Sequence, residues 1–137
     1  MAQKDIYHDA CKNALTKDGW IITHDPFTLS FGKRNLYIDL GAEQQIAAEK
    51  EGRKIAVEVK SFRGPSEIVN LENALGKYVF YRSLLAQDEP ERVLYLAVTD
   101  DVFRGIFTEP VGQFIQAEHN LKIIVFDDAT EVIVKWI

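Results

Sequence analysis

The sequence holds a single cysteine, Cys11, so no internal disulfide can form and an intracellular, cytoplasmic setting is the expectation. Its three histidines, His8, His24 and His119, are scattered, and with one cysteine they cannot build a structural zinc site. No apolar run approaches the ~20 residues that a membrane span requires. Met1-Ala2-Gln3-Lys4-Asp5 opens into polar sequence, unlike a secretory leader. Positive charge is also short: 16 Lys and Arg stand against 21 Asp and Glu, a net charge of −5. That balance argues against strong non-specific nucleic-acid binding by phosphate neutralisation, while leaving room for a local basic surface. Repeats, low-complexity tracts and linkers are absent.

What is present suffices for a core. At 137 residues with 47% hydrophobic side chains, the chain reads as one domain spanning residues 1–137. Residues 4–17 read as a helix with Tyr7, Cys11, Ala14 and Leu15 on one face, closed by Asp18-Gly19. Residues 20–23 and 27–31 are β-type runs separated by Asp25-Pro26, and residues 32–35 form a turn. Residues 36–40 open the central stretch. A hairpin is expected between 45–48 and 55–60, closed around Gly52. A second helix enters at Ser66 or Asn70, with Ile68, Leu71, Leu75, Tyr78, Val79 and Leu85 as its buried stripe, and ends before Glu89-Pro90. Residues 93–98, VLYLAV, read as a strand covered on both faces. A helical turn at 101–107, a helix from Pro110, and strands at 121–126 and 131–136 follow. The expected class is α/β with a mixed sheet and a helix on each side.

Chemistry concentrates between Tyr37 and Ser61. In Ile55-Ala56-Val57-Glu58-Val59-Lys60 the aliphatics Ile55, Val57 and Val59 point one way, and Ala56, Glu58 and Lys60 the other. Asp39, Glu43, Gln45 and Glu49 share one parity upstream, and a hairpin would bring one of them beside Glu58. Two carboxylates converging beside a lysine in a partly buried place call for a neutralising cation. Mg²⁺ (or Mn²⁺) takes oxygen ligands and keeps several waters. Such an ion stabilises an attacking water and the charge on a scissile phosphate, while the lysine orients the water or stabilises the charge.

An acid, then Glu-x-Lys on the strand after a hairpin, then a helix, resembles the PD-(D/E)XK nuclease superfamily. KDIYHDACKNALTKDGWIITHDP, YIDLGAEQQIAAEKEGRKIAVEVKSF, ALGKYVFYRSLL, RVLYLAV and the terminal VKWI resemble the XisH family from end to end. That resemblance implies a restriction-endonuclease-like three-layer α/β/α fold with a central mixed sheet. It implies a role as an excision-controlling factor of the fdxN element of heterocyst-forming cyanobacteria. The factor acts there on DNA, beside a site-specific recombinase and an XisI-like companion, and a homodimer is a further expectation. By position, Glu58 and Lys60 match the second acid and the lysine of the nuclease motif, and Asp39 or Glu43 the first acid. The carbonyl of Val59 is an added metal-ligand candidate. Lys77 and Tyr81 stand where related nucleases carry Gln-x-x-x-Tyr; a lysine there can contact phosphate but accepts no hydrogen bond. Asp5, His8 and Asp9 are the candidates for a first-helix contribution.

Each of these residues also has a simpler reading. Asp39 suits a turn before Gly41, and Glu43 and Glu49 suit hairpin surface. His8 suits a satisfied interfacial histidine and Tyr81 a core or rim position. Lys50, Arg53, Lys54, Arg63 and Lys77 suit solubility, although they form the one local cluster able to meet a phosphate backbone. Trp20 and Trp136 read as core.

Overall fold

The computed structural model describes residues 4–44 and 52–137. Gln45, Glu49 and Lys50, and the hairpin arm expected at 45–48, lie outside the described residues. The elements run α1 (His8–Lys17), β1 (Ile21–His24), β2 (Phe27–Phe31), β3 (Arg34–Ile38), β4 (Leu40–Gln44), β5 (Arg53–Val59) and α2 (Glu67–Asp88). Then come β6 (Arg92–Thr99), α3 (Asp100–Arg104), a 3-10 turn (Ile106–Thr108), α4 (Pro110–Glu118), β7 (Ile123–Asp127) and β8 (Val132–Trp136). The result is a mixed α/β fold.

Six strands form one mixed sheet in the order β1-β4-β5-β6-β7-β8, and β2 and β3 pair as a separate two-stranded ribbon. β5, β6 and β7 are parallel neighbours, flanked by antiparallel pairs at both ends. Alternation along the central strands supplies two cores, one on each face. Ile55, Val57 and Val59 join Ala10, Cys11, Ala14 and Leu15 of α1, whereas Ala56, Leu94, Leu96 and Val98 join Leu71, Ala74, Tyr78 and Leu85 of α2. The β5 face that carries Glu58 is therefore covered by a helix. The Tyr78 hydroxyl fastens that helix, donating to the Leu94 carbonyl at 3.0 Å and accepting the Lys122 N–H at 3.2 Å.

Three departures from the expected elements matter for the site. Helix α1 starts at His8 rather than residue 4, because the Asp5 carboxylate takes the Tyr7 N–H at 2.9 Å and replaces the first helical turn with a side-chain-capped bend. In α2, entered at Ser66, Asn70 is buried and Ile68 is exposed. The Asn70 Nδ2 donates to the Arg63 carbonyl at 2.9 Å, which gives a polar side chain a satisfied place inside.

The largest difference concerns residues 36–40, which are not one strand. Leu36 and Ile38 pair with Leu29 and Phe27 in the ribbon, while Leu40 pairs with Val57 in the main sheet. The chain changes sheets at Asp39. Gly41 makes room for that change. A Cβ there would meet the Phe27 ring at 2.9 Å and His24 Nδ1 at 3.0 Å, so only glycine lets the ribbon lie this close to β4.

Candidate functional site

The β4–β5 register fixes what faces Glu58. Leu40 lies opposite Val57 and Gly41 opposite Ala56, so the next rung out places Asp39 opposite Glu58. Asp39 Oδ2 accepts the Val59 N–H at 2.7 Å, which turns the carboxylate back over the end of β5. A cleft of about 150 Å³ opens there, lined by Asp5, Asp39, Glu58, Val59, Lys60, Lys77 and Tyr81, with Tyr37, Ala74 and Leu96 completing its wall. Five separate pieces of chain contribute: the residues before α1, the end of β3 with the β3–β4 junction, the end of β5, one face of α2, and β6.

The two carboxyl groups line the same cleft and feel each other's charge. Burial is the main reason that the Asp39 carboxyl is held above its ordinary range. Glu58 is pushed up to about 8, first by burial and next by the Asp39 charge, with Lys77 pulling the other way. Lys77 Nζ stands 3.9 Å from Glu58 Oε2 and is mostly solvent-exposed, so its screening of the pair is weak. The Tyr81 hydroxyl is also pushed up, by burial and then by the Glu58 and Asp39 charges, which places it within their field.

Lys60 is half-buried on the same side as Glu58, and its N–H donates to the Ala97 carbonyl of β6 at 3.0 Å. The Val59 N–H points to the opposite edge, toward Asp39. The Val59 carbonyl shares that edge, because the two polar groups of one strand residue face the same way. Among the described residues no three His, Cys, Asp or Glu side chains gather as a metal-holding group. Two carboxylates and a main-chain carbonyl are nevertheless a hard-oxygen set of the kind Mg²⁺ accepts while keeping its waters. A pair of facing acids that both resist ionisation is the arrangement a divalent cation relieves. Asp39, Glu58 and the Val59 carbonyl could hold such an ion.

The remaining candidates separate cleanly. Glu43 lies opposite Lys54, whose Nζ stands 3.7 Å from Glu43 Oε1, four residues along β4 and about 13 Å from Asp39. Glu43 is therefore outside the cleft, as is Lys54. The arm that pairs with β5 is Leu40–Gln44, ahead of the stretch anticipated, which puts the sheet-changing Asp39 opposite Glu58. Arg63 is exposed in the loop before α2 and does not line the cleft, and Asp9 faces outward from α1. His8 is buried with its Nε2 2.7 Å from Asp25 Oδ1, an interfacial histidine satisfied at that nitrogen alone, since its Nδ1 has no partner among the described residues. Lys12 completes that contact, 2.8 Å from Asp25 Oδ2.

Tyr37 is the cleft residue that sequence reasoning missed. Its parity with Asp39 along residues 36–40 carried the signal, since the two are separated by one residue.

The protein is thus of the mixed α/β class, with two facing carboxylates, a lysine and a tyrosine gathered at one end of its sheet. Residues 1–134 match the sequence model described as XisH protein, and the chain belongs to the XisH family. It is similar to the crystal structure of an XisH family protein from Nostoc punctiforme PCC 73102, at 43% identity and a TM-score of 0.87, covering 97% of this chain and 99% of that one. It is equally similar to an fdxN element excision controlling factor protein from Anabaena variabilis, at 43% identity and a TM-score of 0.87, covering 98% of this chain and 99% of the other. None of the curated proteins is similar to it.

Proposed function

We propose that this protein controls excision of a DNA element as a divalent-metal-dependent phosphodiesterase of the PD-(D/E)XK type, working with a site-specific recombinase and an XisI-like companion. The convergence of Asp39, Glu58 and Lys60 in one cleft carries the reading. Helix α1 over one face of the sheet and α2 over the other support a restriction-endonuclease-like three-layer arrangement. The relative from Anabaena variabilis supports the role in excision.

In this reading Mg²⁺ or Mn²⁺ supplies Lewis-acid stabilisation of the phosphate charge. Asp39 and Glu58 bind the ion and are relieved of their mutual repulsion by it. The Lys60 ammonium holds the attacking water by hydrogen bond and takes part of the charge that builds on the phosphate. Tyr81 and Lys77, one turn apart on α2, offer a hydroxyl and a cation to the DNA backbone on the opposite wall.

The test is incubation with single-stranded, duplex and branched DNA, with Mg²⁺ or Mn²⁺, in the presence and absence of the XisI-like companion. Cleavage by the wild type that is lost in Lys60→Ala supports the reading, and cleavage that survives Lys60→Ala removes it. A second reading, a nuclease-fold module that binds DNA or protein without cutting, is favoured by the net charge of −5 and by Lys77 in the glutamine place. Absence of cleavage on every substrate, with DNA or partner binding retained, selects that second reading.

A further inference from the structure

Strand β5 ends at Val59, yet the residues beyond it are tied as firmly as the strand itself. Three successive amides go to three different parts of the fold. The Val59 N–H goes to Asp39 Oδ2 at 2.7 Å, the Lys60 N–H to the Ala97 carbonyl at 3.0 Å, and the Ser61 N–H to Asp5 Oδ2 at 2.9 Å. The other oxygen of Asp5 accepts the Tyr7 N–H at 2.9 Å. Asp5 thus spends one oxygen on the entry to α1 and one on the residue after Lys60.

The backbone immediately downstream explains why such a tie is needed. Phe62 has a φ of +56°, a left-handed conformation that a bulky side chain resists. Its ring is buried and packs edge-on against Phe107, with centroids 5.9 Å apart. Anchored at its ring, the strained turn can relax on its upstream side, by rotating Ser61 and Lys60. The Asp5–Ser61 bond opposes that rotation. A lysine ammonium stands at the end of four rotatable bonds, so its reach into the cleft is set by the direction of its own Cα–Cβ bond.

We propose that Asp5 is a positioning residue: by holding the Ser61 amide against the strained Phe62 turn, it aims the Lys60 side chain at the Asp39–Glu58 pair. This inference rests on the phosphodiesterase reading of those three residues. It also explains why the position carries a carboxylate. An ionised Asp accepts at both oxygens, whereas Asn presents one acceptor and one amide group that would face a second N–H.

The test compares the wild type with Asp5→Asn and Asp5→Glu by amide hydrogen exchange at Ser61, and by kcat and KM on a DNA substrate that the wild type cuts with Mg²⁺. Circular dichroism serves as the check on folding. In D5N the Ser61 amide is expected to lose protection and kcat to fall about 10- to 100-fold with KM little changed; D5E, which keeps both acceptors, recovers most of both. Unchanged Ser61 exchange in D5N overturns the tie. Faster exchange with unchanged kcat overturns the positioning role and leaves the phosphodiesterase reading intact. A wild type that cuts no DNA removes that reading, and the positioning role with it, while Ser61 exchange still reports on the bond itself. Should D5N fail to fold, D5E decides: normal Ser61 protection with normal kcat supports the inference, and normal kcat without protection overturns it.

Discussion

Asp39 and Glu58 face each other one rung past the last paired residues of β4 and β5, and Asp39 is locked there by the Val59 amide at 2.7 Å. The position belongs to neither strand that flanks it. Removing the carboxylate charge at Asp39 is therefore expected to cost activity, and removing it at Glu43 is not. Asp39→Asn should lower Mg²⁺-dependent cleavage by at least ~100-fold, while Glu43→Gln, which breaks only an ion pair with Lys54, should stay within a few-fold. Parallel steady-state assays on the two variants, with matched melting temperatures, check this.

The facing acids also make stability depend on pH in an unusual direction. Both hold their protons more tightly in the folded chain than an unfolded carboxylate does, and Glu58 does so up to about 8. Between the ordinary carboxylate range and about pH 8 the folded state binds more protons. Metal-free stability from this pair therefore falls as pH rises through that window. Thermal melts from about pH 5 to about pH 8 should show the decline, and Glu58→Gln should flatten it. Mg²⁺ at ~100 times its Kd should restore about 2.7 kcal/mol, with a larger rise in melting temperature at pH 8 than at pH 5, because proton and cation compete for the same oxygens.

Lys77 is exposed and stands 3.9 Å from Glu58, so its value lies in what it can offer a polyanion. Lys77→Ala should weaken DNA binding without regard to base sequence and reduce the slope of log affinity against log salt by about 1. It should also shift the Glu58 titration further upward, since the Lys77 charge is one of the influences that pull it down. Fluorescence anisotropy across a salt series and carboxyl NMR titration read these separately.

Much of this architecture was legible beforehand. Residues 55–59 announced two differently packed faces by strict alternation, Ser66 and Asn70 were both offered as the start of α2, with Ser66 the one used, and Pro110 announced the start of α4. Glu58 and Lys60 were readable because a strand's parity is local. The partner acid was not, because its identity depends on strand register, which involves residues far apart in sequence. Leu36 to Leu40 alternates as one strand would, and nothing in its composition marks the exchange of partners at Asp39. Gly41 was the nearest sign, and its reason lies in the rings of His24, on the neighbouring strand β1, and Phe27, which approaches from the ribbon.

That glycine gives a fourth prediction. Gly41→Ala would push a methyl group into the Phe27 ring and His24. The expected loss is ~1–3 kcal/mol, read as a lower midpoint in urea at unchanged slope. Because the displaced ribbon carries Tyr37 and leads into Asp39, metal affinity should drop as well, which isothermal titration with Mn²⁺ would record. A substitution that fills only empty space, Gly76→Ala on the exposed side of α2, should do neither and serves as the control.

The cleft draws on Asp5, Asp39, the end of β5 and α2, and β5 reaches its parallel neighbour β6 only through the whole length of that helix. No single hairpin of this chain contains the site. The loop-closing entropy of these distant pairings must be met before the acids come together. Cation affinity should therefore appear late in refolding, in step with the final cooperative phase. During synthesis the cleft would be incomplete until α2 and β6 had been made and packed against β5.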